Sequence, residues 1–126
     1  MQKISDSEME IMNILWKNDK GMSGKEIMES IPEKQWKITT VLTLISRLAD
    51  KGFVKSEKNG RGNTYYSAIS EKEYRKMCSK SFLNEFYEGS LKNFFATLYD
   101  DNEISKEDIE ELKSILERGG EAKWEY

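Results

Sequence analysis

The chain has 126 residues, a mean hydropathy of −0.75, 34% charged residues and a formal net charge of −3. That length suits one small domain, or one small domain with a helical extension, and no apolar run approaches the roughly 20 residues needed to span a bilayer. A single cysteine, no histidine and no basic-then-apolar leader point away from a disulfide scaffold, a Ser–His–Asp or Cys–His enzyme and a secreted protein, and towards a cytoplasmic one.

The average charge conceals a division. From Lys34 to Ile69 the cations Lys34, Lys37, Arg47, Lys51, Lys55, Lys58 and Arg61 oppose only Asp50 and Glu57, a local charge of +5. From Ser70 onward nine cations oppose 14 anions, a local charge of −5. A basic centre followed by an acidic remainder suits one surface for a polyanion and another for a different task, although basic segments are often simply solvated.

In chain order, Ser5 and Glu8 form a capping-box pattern ahead of Ile11, Met12, Ile14 and Leu15, which predicts a helix as far as Asn18. Gly21 breaks it. Ser23 and Glu26 repeat the pattern before Ile27, Met28 and Ile31, and Pro32 predicts an end at Ile31. A third helix is expected from about Ile38 to Gly52, where glycine suits the left-handed residue after a helix. The period then changes to two: "FVKSEKN" and "TYYSAIS" flank Gly60, Arg61, Gly62 and Asn63, predicting a β-hairpin with a basic tip.

Helical spacing returns after Ser70, first with Tyr74, Met77, Cys78, Ser81, Phe82 and Phe86, then with Leu91, Phe94, Phe95 and Leu98. "SKEDIEELKSILERGG" predicts a last helix with Ser105 as N-cap, Ile109, Leu112 and Leu116 as its apolar face and Gly119 at its end. The tail after Gly120 is expected to be loose unless Trp124 anchors it. The expected fold is mainly α: a winged helix-turn-helix over residues 1–70, with three helices and a hairpin wing, then a helical dimerisation domain over 71–126.

The third helix carries the functional signal. At 100° per residue, Val41, Leu44, Ile45 and Leu48 share one side and must face a core, while Thr39, Thr43, Ser46 and Asp50 share the other. Thr40, Leu42 and Arg47 flank that polar side, with Lys37 and Lys51 at its ends. Taken alone, such a row is an ordinary solvated face. In a winged helix it occupies the helix that enters the major groove, where Ser, Thr and Arg can bond base edges or phosphates.

The expected DNA contacts are therefore Lys37, Thr39, Thr40, Leu42, Thr43, Ser46, Arg47, Lys51, Lys55, Arg61 and Asn63. Arg61, between Gly60 and Gly62, is expected to reach a phosphate or the minor groove. The competing class is a winged helix that binds protein without sequence-specific DNA binding. An enzyme fits less well, because the acidic residues around Glu107 suit a solvated helix start and "NGRGNT" lacks a P-loop ending.

Tyr74, Met77, Phe82, Phe86, Leu91, Phe94, Phe95, Leu98, Leu112, Ile115 and Leu116 offer more apolar surface than three thin helices bury among themselves, so a two-fold partner is expected to cover them. The competing expectation is a monomer in which they pack on the winged-helix core.

The stretches "ISDSEMEIMNILW", "TTVLTLISRLADKGFV", "YYSAIS", "SFLNEFYEGSLKNF" and "EDIEELKSILE" resemble, in order and spacing and over nearly the whole chain, the penicillinase and methicillin-resistance repressors and their copper-responsive relatives (the BlaI/MecI/CopY family). The resemblance implies a homodimeric repressor on a palindromic operator, with no enzymatic activity and no cofactor. It also implies relief through a membrane sensor with a metalloprotease domain, the aligned bond being Thr97–Leu98. Three departures stand out, the first being that members have Asn followed by Phe at that bond, whereas here Asn93-Phe94 lies four residues earlier. Leu42 occupies a place where members have a basic or polar residue, and leucine can meet a thymine methyl but cannot read guanine by hydrogen bonds. Cys78 is alone, whereas the copper-responsive branch carries paired cysteines able to hold Cu(I).

Overall fold

The computed structural model describes residues 3–118. Its element order is α1 (Asp6–Lys17), α2 (Gly24–Glu29), a 3-10 turn (Pro32–Lys34), α3 (Ile38–Asp50), the hairpin strands β1 (Val54–Asn59) and β2 (Gly62–Ser67), α4 (Glu71–Tyr87), α5 (Leu91–Asp100) and α6 (Lys106–Arg118). The elements from α1 through β2 form a winged helix. The chain divides into two compact units after Tyr74, four residues beyond the expected boundary at 70/71. Gly119, the tail after Gly120 and Trp124 lie outside the described residues. Among the described residues no helix is long and apolar enough to cross a membrane.

Local chemistry explains where the helices start. Both capping boxes are present: the Ser5 hydroxyl accepts from the Glu8 N–H while Glu8 accepts from the Ser5 N–H, and Ser23 and Glu26 do the same. Ser70, Ser90 and Ser105 likewise accept from the N–H three residues on. Each such cap is worth about 1 kcal/mol. Where α3 stops, the Gly52 N–H donates to the Ala49 carbonyl and the Phe53 N–H to the Leu48 carbonyl, with Gly52 at φ +85°. That is a Schellman ending, and the buried Phe53 and Leu48 supply the apolar contact that accompanies it. Helix α2 stops at Glu29, two residues before the expected end at Ile31, and Pro32 then starts a 3-10 turn that leaves Gln35 in the left-handed region at φ 52°.

The core of the first unit comes from one stripe of each helix. Ile11, Met12, Leu15, Ile27, Val41 and Leu48 are almost wholly inaccessible, and Met22, Ile31, Leu44, Ile45, Phe53 and Val54 close around them. Full burial of one such side chain stabilises by about 1.5–3 kcal/mol. Tyr74, expected in the dimerisation set, belongs to this core instead. It is buried, its ring lies 5.6 Å from those of both Trp16 and Phe53, and it meets Phe53 edge-on. The Trp16 Nε1 donates to the Ser67 hydroxyl and the Ile69 carbonyl. The first turn of α4 is thus part of the winged helix, and the apolar stripe read from Tyr74 onward changes its role after one turn.

The wing is antiparallel, with Val54 opposite Ser67 and Asn59 opposite Gly62. Its turn is therefore Gly60–Arg61, two residues shorter than the expected Gly60–Asn63 tip. Positive φ at Gly60 alone (62°) is the type II′ pattern, whose twist matches that of the strands. Met22 adds a third, one-residue rung by exchanging both backbone bonds with Tyr65. The neighbouring Gly21 has to be glycine: its φ is 83° and an added Cβ would stand 2.5 Å from Cε1 of Tyr66.

Candidate nucleic-acid interface

The packing of α3 decides which side it offers. With Val41, Leu44, Ile45 and Leu48 buried, Thr39, Thr40, Leu42, Thr43, Ser46 and Arg47 are all exposed. Thr39, Thr40, Thr43 and Arg47 border a shallow depression together with Leu44. The Thr43 hydroxyl donates to the Thr39 carbonyl at 2.8 Å. Its hydrogen is therefore held within the helix, and towards a groove Thr43 is an acceptor, suited to an exocyclic amino group of adenine or cytosine.

Helix α3 differs from the other five in its start. Lys37 occupies the N-cap position, is exposed and gives no side-chain cap. A cation at the positive end of the helix dipole costs about 0.3–1 kcal/mol. The same arrangement leaves the first N–H groups of the helix open, beside an ammonium, to a phosphate oxygen. Among the described residues Lys37, Arg47, Lys58 and Arg61 have no carboxylate partner, so their charge is available to an external anion.

Lys51 corrects one expectation. Its ammonium directs three bonds inward, to the Lys3 carbonyl at 2.7 Å and to Glu8 Oε1 and Oε2 at 2.8 and 3.0 Å. All three of its donors are used, which leaves none for a phosphate. Glu8 is 2% exposed. Burial acts most strongly on it and raises its pKa, yet the bonds from Lys51 and Ser5 together outweigh burial and hold the carboxyl below the usual glutamate value. The pair ties α1 to the end of α3 and fixes how α3 is presented.

On the wing, strand alternation separates residues that the sequence groups together. Lys58 stands opposite Asn63, whereas Lys55 stands opposite Tyr66 on the other face, its ammonium 5.9 Å from the Tyr66 ring centre. The buried Val54 lies on the Lys58 face, and Lys55 itself stays exposed. Lys55 and Asn63 therefore do not share a face. Lys58, left out of the expected contacts, shares one with Asn63. Its position follows from the two-residue turn, so a correct register would have found it from sequence.

Residues 4–118 match the Penicillinase repressor family. The chain belongs to that family. It is 36% identical over 117 residues, 92% of its own length and 94% of the relative's, to the methicillin resistance regulatory protein MecI of Staphylococcus aureus (strain N315). It is also 36% identical over 115 residues, covering 91% of this chain and 90% of the relative, to the penicillinase repressor of Bacillus licheniformis. Among solved structures, the DNA binding domain of the repressor BlaI superposes with a TM-score of 0.50 at 32% identity, covering 59% of this chain and 94% of that one. This member of the penicillinase repressor family is accordingly a transcriptional repressor and not an enzyme.

Proposed function

We propose that this repressor acts in the cytoplasm as a homodimer on a palindromic operator of a β-lactam-resistance gene. One observation carries the DNA-binding part: the exposed Thr39, Thr43, Ser46 and Arg47 side of α3 beside an uncapped, lysine-headed helix start. Thr39, Thr40, Thr43 and Ser46 face bases in this proposal. Lys37, Arg47, Lys58, Arg61 and Asn63 hold the sugar–phosphate backbone. Support for the dimer comes from the second unit, where no described side chain from Arg75 onward is buried although many are large and apolar.

A salt titration of the purified chain on its own upstream DNA, with the mass of free and bound species, tests this. A dimer on a palindromic site, weakening steeply with salt, is the expected result, and a monomer indifferent to DNA would favour the protein-binding alternative. Within that assay Arg61→Ala should weaken binding to all sequences alike and lower the salt slope by about one phosphate contact. An unchanged slope would remove the wing tip from the interface.

The finer proposal of relief by cleavage, prompted by a membrane sensor-protease, meets a structural condition. Thr97 and Leu98 lie inside α5, the Thr97 hydroxyl donates to the Asn93 carbonyl, and the Leu98 carbonyl accepts from the Glu103 N–H that ends the helix. Cleavage of that bond requires the last turn of α5 to open first. Chain mass in cells exposed to a β-lactam should then show a fragment ending at Thr97, and persistence of only the intact chain would sink this mode of relief.

A further inference from the structure

Beside the hydroxyl row of α3 lies a feature that hydrogen bonding does not explain. Ile38 and Leu42 are 39% and 41% exposed. Being four residues apart, they stand one above the other on the first two turns of the helix. Beneath them runs the start of α2, where Gly24 is buried and an added Cβ would lie 3.0 Å from Leu42 Cδ2 and 3.5 Å from Ile38 Cδ1. Both side chains therefore rest on bare backbone. A larger residue at 24 would push Leu42 aside, so the absence of a side chain there sets the height of the patch.

Two side chains are far too few for a protein interface, which needs on the order of 1,000 Å² with good complementarity. The surroundings are those of a polyanion instead: Lys37 immediately before, Thr39 and Thr43 alongside and Arg47 one turn on, with no acidic partner for either cation among the described residues. The N-terminal residues of the second helix of a helix-turn-helix meet base edges. The one apolar group that a base edge presents in the major groove is the 5-methyl of thymine.

We propose that Leu42, flanked by Ile38 and supported from below by Gly24, is a specificity-determining residue that receives a thymine 5-methyl group in each half-site. The inference rests on the DNA-binding proposal above and adds the chemical group recognised. Because leucine neither donates nor accepts, the contact discriminates by methyl burial alone. Cytosine at that position lacks the methyl, and a purine in its place carries no C5-methyl.

The test replaces the thymines of the bound operator by uracil, one base pair at a time, which removes the methyl and leaves every hydrogen-bonding group in place. Full-length wild-type protein should lose about 3–10-fold in affinity at one symmetry-related thymine, the scale of one buried carbon. Leu42→Ala should bind the thymine and uracil operators equally. Ile38→Ala, which keeps Leu42, should retain most of the difference. Circular dichroism of both variants should match wild type, since neither side chain belongs to the core. Indifference of wild type to uracil at every position would overturn the proposal, as would undiminished thymine preference in Leu42→Ala. Failure of wild type to bind any operator DNA would instead overturn the DNA-binding proposal, and this inference with it.

Discussion

Leu116→Asp should turn the proposed dimer into a monomer at micromolar concentration and weaken operator binding by about 10²–10⁴-fold, the loss expected when two linked half-sites become independent. The reason lies in how little the second unit buries. Leu116 is 72% exposed and Tyr99 62%. With Leu91, Phe95, Ile109 and Leu112 they line an open groove of about 570 Å³ between α5 and α6. In a single chain, aspartate at 116 would sit in water at almost no cost. In an interface over that groove it would be an unpaired buried charge, and one central position of this kind commonly costs more than 2 kcal/mol. Sedimentation equilibrium measures the association and circular dichroism verifies that α6 remains. A variant that stays dimeric would move the interface away from this groove, towards α4, where Phe82 and Phe86 are also exposed.

The sequence made some of this legible and hid the rest for identifiable reasons. Caps and glycine endings are local: Ser5 with Glu8, Ser23 with Glu26, and Gly52 after α3 each express their structure within four or five residues. The exposed side of α3 was legible for a related reason, since a strong period fixes the buried stripe and leaves the hydroxyl row outside. Tyr74 was misassigned because periodicity says that a stripe is apolar but not which unit it faces. Lys55 and Lys58 depended on a turn length that the glycines on either side of Arg61 left open. Lys51 was hidden more deeply, because its partner Glu8 is 43 residues away and a lysine in a basic segment looks like a phosphate contact until its donors are counted.

That last residue gives the second large effect. Lys51→Met should destabilise the first unit by about 3 kcal/mol, the scale of breaking a buried pair while one charge stays behind. Glu8→Gln combined with Lys51→Met should recover part of the loss, since the stranded carboxylate is then gone. The pH dependence carries a definite sign. With the folded pKa of Glu8 held below its ordinary value of about 4.3, the pair contributes fully above that value and its contribution is lost as pH falls through the folded pKa. The stability gap between wild type and Lys51→Met, followed by urea unfolding from pH 7 down to about pH 3, should therefore narrow in acid. Operator binding supplies an independent readout: with all its donors turned to Glu8 and the Lys3 carbonyl, Lys51 contributes no phosphate contact, and Lys51→Met should leave the salt slope unchanged at temperatures where the variant is folded. A slope lowered by about one, with stability intact, would return Lys51 to the DNA interface and would mean that its bond to Glu8 gives way when the operator is bound.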